Sequence, residues 1–213
     1  MTTRPMPRAA FGCRSHSGWA AVVALAGPAD APWVVDRRRI SICDPSIRGS
    51  KQPYHAAEPM QFSDAEAFLK RCAQSTSRLA TDALRSAVDD LRARGYKAAS
   101  FGITLSSGRP LPALKAVLAS HALIHTAEGE FYRDQLKEAA QQCGLDVMSI
   151  KERELYERAS AQFRMPLAQL ERRVADLGKP LGAPWSQDQK CAALAAWLAL
   201  SGAAVGSSSF YKS

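Results

Sequence analysis

Apolar positions along the chain change period in a way that predicts strands alternating with helices. The runs Gly18–Leu25 and Trp33–Ile42 are dense in Val, Ala, Ile and Trp. They are separated by Gly27-Pro28-Ala29-Asp30, which predicts an antiparallel hairpin. The tract Asp44–Met60, rich in Pro, Gly and Ser, leaves room for a third strand without fixing its place. Phe68, Cys72, Leu79, Leu84, Val88 and Leu91 then recur at helical spacing, behind a capping box at Ser63-Asp64-Ala65-Glu66 and ahead of a stop at Gly95. Residues 97–105 read as a strand closed by the turn Ser106-Ser107-Gly108-Arg109-Pro110. A second helix ends at Gly144 and leads to a short strand at Leu145–Ile150. Helices follow at Glu152–Phe163 and Leu167–Leu177, the latter opened by Pro166. The last element, Cys191–Leu200, is almost wholly apolar, so it belongs inside the molecule, and Ser186 with Gln189 caps its start.

At 213 residues and 46% hydrophobic content, the chain is sized for one globular domain. The pattern places its core at residues 14–202, with loose ends at 1–13 and 203–213; Phe210 and Tyr211 in the second tail offer an anchor for a protein partner or a second copy of the chain. A net charge of +8 and a pI near 9.5 favour an anionic partner, and nucleic acid, DNA or RNA, is the usual one. The triplet Arg37-Arg38-Arg39 is read first as a solvated or edge-protecting strand and second as a phosphate clamp. Alternation puts Arg37 and Arg39 on one face and Arg38 on the other.

Five cysteines, far apart and without a CxxC pair, read as ordinary thiols of a reducing cytoplasm. Arg4, Arg8 and Arg14 ahead of Trp19–Ala26 resemble a secretory leader. The same run nevertheless continues into the hairpin, and no stretch is long enough to cross a membrane.

The chemistry concentrates in Ser120-His121-Ala122-Leu123-Ile124-His125-Thr126-Ala127-Glu128-Gly129-Glu130. His121, His125 and Glu128 fall at i, i+4 and i+7, one stripe of a helix, where they can share a divalent metal or a polarised water. Leu114 and Leu118 extend the stripe toward the core. The plain alternative is a pair of half-buried histidines satisfied by backbone carbonyls. Gly129 weakens this helix and sets a bend or restart near Thr126. His55, in Gln52-Pro53-Tyr54-His55-Ala56-Ala57-Glu58, reads as loop packing in the first place and, with Tyr54, as a base-stacking group in the second.

The order hairpin, long helix, strand, helix, strand, helices is that of a ribonuclease H-like α/β domain, a mixed sheet flanked by helices. Two segments carry a resemblance to the Holliday-junction resolvase (RuvC-type) branch of that superfamily. Ser15-His16-Ser17-Gly18-Trp19-Ala20 looks like that branch's Thr-Gly-Trp/Tyr-Ala opening strand, and Asp188-Gln189-Lys190-Cys191-Ala192-Ala193-Leu194-Ala195 is similar to its Asp-x-x-Asp-Ala-Leu-Ala helix. The resemblance implies a divalent-metal nuclease with acids on the first strand, at the end of the middle strand and on the last helix. Of these, Asp188 alone carries over, as a metal ligand. The first-strand neighbourhood offers Arg14, His16 and Ser17 instead, and Ala98–Leu105 has no glutamate.

Two readings follow. In the first, His16, His121, His125, Glu128 and Asp188 form a substitute metal site for Mn, Mg or Zn, with imidazole favouring Mn, Fe, Co or Zn over Mg. The protein is then a metal-dependent nuclease in which Glu130 or Glu128 accepts the proton of water and Arg133 steadies the phosphate. In the second, catalysis is gone and the domain binds nucleic acid or assembles with a protein. A sugar-kinase or actin-like enzyme of related fold is disfavoured, because the turn at Ser106–Pro110 supplies a single glycine for a phosphate loop.

Overall fold

A computed structural model describes residues 5–106 and 110–205. Five strands form one sheet in the order β3-β2-β1-β4-β5: β1 at Arg8–His16, β2 at Trp19–Ala26, β3 at Trp33–Ser41, β4 at Lys97–Leu105 and β5 at Asp146–Lys151. β1 pairs antiparallel with β2, and β2 with β3. β4 runs parallel to both β1 and β5. The carboxyl ends of β1, β3, β4 and β5 therefore share one edge of the sheet.

The first strand corrects the expected loose tail at residues 1–13. Arg8–Cys13 lie in the centre of the sheet, and Ala9, Ala10, Phe11 and Cys13 are fully buried. A strand covered on both faces shows no apolar/polar alternation to reveal it. The third strand sought in Asp44–Met60 is thus this one. That tract instead forms a loop and the five-residue helix α1 at Pro53–Ala57. The far tail, with Phe210 and Tyr211, lies outside the described residues from 206 on, while 203–205 belong to the last helix.

One face of the sheet is covered by α1, by α2 at Phe62–Ala93 and by α4 at His121–Gln142. A short α3 at Leu114–Leu118 leads into α4. α2 starts one residue before Ser63, with Gln61 at its N-cap and no side-chain cap bond, so the expected Ser63/Glu66 box does not form. It ends as expected, with Gly95 at φ +81°. The single helix foreseen here breaks at Ala119-Ser120, not near Thr126, and α4 continues straight through Gly129. A methyl at Gly129 would lie 2.8 Å from the Arg133 guanidinium, which uses the space that glycine leaves.

The other face carries α5 at Leu155–Phe163, α6 at Leu167–Asp176 and α7 at Gln187–Val205. Every residue from Cys191 to Leu200 is buried. The Ser186/Gln189 box forms at the start of α7: the Ser186 amide donates to Gln189 Oε1 at 2.8 Å, and the Gln189 amide donates to Ser186 Oγ at 3.4 Å. α7 presses directly onto the sheet because Gly12 and Gly102 have no side chain. A Cβ would sit 1.9 Å from the Ala192 carbonyl oxygen at Gly12 and 2.3 Å from that of Ala195 at Gly102. This close approach fixes where the start of α7, with Asp188, meets the end of β1.

Candidate active site

All four histidines fall at the carboxyl edge of the sheet. His16 ends β1, His55 lies in α1 beyond β3, and His121 and His125 open α4 beyond β4. They divide into two groups on opposite faces, so the five expected ligands His16, His121, His125, Glu128 and Asp188 do not meet at one point.

On the α7 face, alternation turns Arg14 and His16 toward the start of α7. Arg14 donates to Glu152 from Nε at 3.2 Å and from one terminal nitrogen at 2.6 Å, and to Asp188 Oδ1 from the other at 2.6 Å. His16 Nε2 lies 2.9 Å from the same Asp188 oxygen. Burial pushes the Asp188 carboxyl up, but the contacts with His16 and Arg14 outweigh this and hold it below the ordinary aspartate range. The His16 ring stacks on Trp19 at 4.3 Å, and the Arg39 guanidinium lies 4.0 Å from the Trp19 ring centroid.

Asp188 is the acid that the resemblance would make a metal ligand. Here a permanent cation already neutralises it, and Glu152 joins the same guanidinium. In this arrangement Arg14 supplies the counter-charge to both carboxylates, the part that metal ions play where several acids share a site.

The Arg37–Arg39 run is also consumed internally. Arg37 donates to the carbonyls of Leu181, Gly182 and Pro184, while Arg38 pairs with Asp36 and Asp90. Arg37 and Arg39 do share one face and Arg38 the other, as alternation requires, and the triplet locks an edge strand in place.

On the opposite face, His55, His121 and His125 each present a ligand atom within 4.8 Å of the other two. His121 Nε2 and His125 Nε2 are 3.1 Å apart across one helical turn, and both side chains are exposed. Glu128, one turn further along the same stripe, is 5% exposed. Its Oε2 lies 2.9 Å from His55 Nδ1 and accepts the backbone N–H groups of Tyr54 and His55, each at 3.2 Å. Glu128 thus caps the first turn of α1 from another helix and aims His55 at the α4 pair. Its other oxygen, Oε1, is buried and has no hydrogen-bond partner among the described residues. Burial raises the Glu128 carboxyl above its ordinary value, and the bonds from His55 and Tyr54 recover only part of that.

Glu130 and Arg133 lie nearby but turn on each other. Glu130 Oε1 accepts the Ser106 hydroxyl at 2.6 Å and lies 3.5 Å from the Arg133 guanidinium, whose Nε donates to the Thr104 carbonyl at 3.1 Å. Both side chains are nearly buried, and the trio secures the end of β4. Of the turn beyond it, residues 107–109 lie outside the described part of the chain.

His55 is the member that sequence reading assigned to packing. The available signal was its place in Pro53-Tyr54-His55, directly after the Pro/Gly-rich loop at the end of β3, but only the fold shows that α1 docks on α4. Among the described helices none is long and apolar enough to cross a membrane, and all five cysteines are free thiols.

No protein-family model matches the chain, and no curated protein matches its sequence. Solved structures do. Thermus thermophilus RuvC in complex with a Holliday junction substrate aligns with a TM-score of 0.54 at 10% identity, over 93% of this chain and 96% of that one. A second Thermus thermophilus RuvC structure aligns over the same shares with a TM-score of 0.51 and 10% identity. The sequence-level likeness in the opening strand and last helix is therefore matched by architecture, and the chain has the ribonuclease H-like fold of RuvC over nearly its whole length.

Proposed function

We propose that the protein is a nuclease-like enzyme that hydrolyses nucleic-acid phosphodiester bonds with the help of a divalent metal, and that it works at the carboxyl edge of the sheet on the α1/α4 face. The observation that carries this reading is the gathering of all four histidines at that edge, three of them within ligand distance of one another. Open α/β sheets bind their ligands outside the carboxyl ends of the strands, and α1 and the start of α4 follow the carboxyl ends of β3 and β4 here. The net charge of +8 suits a polyanionic substrate. A divalent ion at such a place supplies charge neutralisation at phosphate and lowers the pKa of bound water. Branched DNA is the first substrate to try, since the RuvC neighbour holds a Holliday junction on the same fold.

A second reading is favoured by one specific feature. Arg14, ion-paired to Glu152 and Asp188 on β1, closes the position where the resemblance expects an acid, which supports a domain that binds nucleic acid without cutting it.

One experiment decides between them: labelled single-stranded, double-stranded and four-way branched DNA and RNA are incubated with the protein and Mn²⁺, Mg²⁺ or Zn²⁺. The hydrolytic reading expects metal-dependent cleavage that His125→Ala removes and Asp188→Asn leaves. Salt-sensitive binding with no cleavage of any substrate would establish the second reading instead.

A further inference from the structure

We infer that His55, His121 and His125 form a mononuclear transition-metal centre of the zinc class, with Glu128 holding His55 in its ligating orientation. The inference deepens the hydrolytic reading by naming its metal, yet it stands or falls on binding alone. Three features argue for it. First, an i, i+4 histidine pair on a helix offers two nitrogens on one side. In a tetrahedral site with Zn–N bonds of ~2.0–2.1 Å, ligand nitrogens lie roughly 3.3 Å apart. The observed His121–His125 separation is 3.1 Å. Second, the third imidazole arrives from a separate element, packed with ring centroids 4.7 Å from His125 and 5.8 Å from His121. Nothing apolar explains three imidazoles stacked edge to face at a half-exposed surface, where each would otherwise be hydrated.

Third, a buried carboxylate lies 2.9 Å from Nδ1 of His55. With Nδ1–H of His55 donated to Glu128, the lone pair of Nε2 is left for a metal. This carboxylate–histidine pairing is how a protein fixes the tautomer and raises the basicity of a metal-bound imidazole. Among the described residues Glu128 accepts three hydrogen bonds on one oxygen and none on the other, an uneven arrangement for a group that served only to fill space.

The donor set decides the metal. Three imidazoles suit Zn²⁺ or Co²⁺ and give Mg²⁺ or Mn²⁺ no hard oxygen ligand from the protein. Three protein ligands also leave the fourth tetrahedral position open, as in catalytic and not structural zinc sites. A neutral His121–His125 hydrogen bond is the competing explanation of the 3.1 Å contact, and it predicts no metal affinity.

Chelator-stripped full-length protein is titrated with Zn²⁺ against a chromogenic competitor and, separately, with Co²⁺ followed by visible absorption. One tightly bound Zn²⁺ per chain and the visible bands of tetrahedral Co²⁺ are expected. His121→Ala and His125→Ala, at exposed positions that tolerate truncation, should abolish the Co²⁺ bands, while Glu128→Gln should weaken Zn²⁺ binding by about 10–100-fold. Asp188→Asn should bind like the wild type, and circular dichroism confirms that each variant is folded. Zn²⁺ binding no tighter than in the His121→Ala/His125→Ala variant would overturn the inference, as would loss of binding in Asp188→Asn. Metal bound without cleavage of any nucleic acid would leave the centre standing and remove the hydrolytic reading. Metal-dependent cleavage that survives both histidine substitutions would remove this face as the place of hydrolysis, while Zn²⁺ affinity alone still decides the centre.

Discussion

Replacing Arg14 by Met keeps the length and apolar stem of the side chain but removes every donor from the ion-pair group at the end of β1. Asp188 and Glu152 are then left facing one another across the vacated space. Arg14 makes a two-pronged contact with Glu152, at 2.6 and 3.2 Å, and a single contact with Asp188 at 2.6 Å. The side chains of Arg14 and Asp188 are each 24% exposed. Exposed ion pairs contribute ~0–1 kcal/mol, whereas breaking a fully buried pair costs ~3–5 kcal/mol. Partial exposure and the forked geometry place this loss between them, at about 2 kcal/mol. For a chain of this length that lowers Tm by roughly 4–8 °C.

The loss is expected to depend on pH, with a sign set by Asp188. Its carboxyl is held below the ordinary range in the folded protein. The stability it confers is fully present above the unfolded aspartate value of about 3.9 and is lost as pH falls through the lower folded value. Urea denaturation of the wild type, Arg14→Met, Asp188→Asn and the double variant at pH 7 and near pH 2.5 completes the cycle. The groups facing Asp188 are Arg14 and His16, with Cys191 on its own helix, and all but Arg14 remain in the single variant. A difference between wild type and Arg14→Met under about 0.5 kcal/mol at pH 7, or one that is unchanged at pH 2.5, would refute the view that Arg14 neutralises this corner.

Other expectations follow from single contacts. Gly12→Ala would drive a methyl into the α7 backbone, so it should cost about 3 kcal/mol or prevent folding, as read by chemical denaturation; a near-neutral result would contradict the close sheet–helix approach. Tyr132→Phe removes the buried hydroxyl that donates to the Ser50 carbonyl at 2.6 Å and should destabilise by ~1–3 kcal/mol, with an unchanged urea midpoint counting against that bond. The Cys13 thiol, buried in the sheet and pushed up to about 12, should resist iodoacetamide at pH 8 until the protein is unfolded; rapid native labelling, located by mass spectrometry, would show β1 to be open.

How much of this was legible in the sequence depended on whether each element keeps one wet face. β3 and the helices with a polar side showed their period, while β2 and β4, buried through much of their length, stood out as apolar runs bounded by turn residues. The exception was β1, whose buried run Ala9–Cys13 has partners on both sides and helices above and below, so its pattern merges with the polar tail ahead of it. The apolar Cys191–Leu200 helix was recognisable by composition and by its Ser186/Gln189 box. The break before α4 was not visible, because Ala119 ends α3 and Ser120 starts α4 through backbone geometry, whereas Gly129 signalled a break that does not occur, its space being used by the Arg133 side chain.

The candidate site was half visible for a similar reason. His121, His125 and Glu128 announce themselves by spacing on one helix. His55 joins them only through the docking of α1 on α4, a tertiary contact with no local trace. Asp188 and His16 were read as further members of the same set. They instead belong with Arg14, on the opposite face of the sheet, because residues two apart on β1 both point toward α7.

The central proposal is that a metal ion binds at the histidines of α1 and α4 and not at the corner that Arg14 occupies. Anomalous diffraction at the zinc and manganese edges, from crystals grown with each metal and a short DNA duplex, tests it most directly. One strong peak equidistant from His55, His121 and His125 is expected, with none between Asp188 and Glu152. A peak at Asp188 and Glu152, with the Arg14 side chain displaced and the three histidines empty, would contradict it.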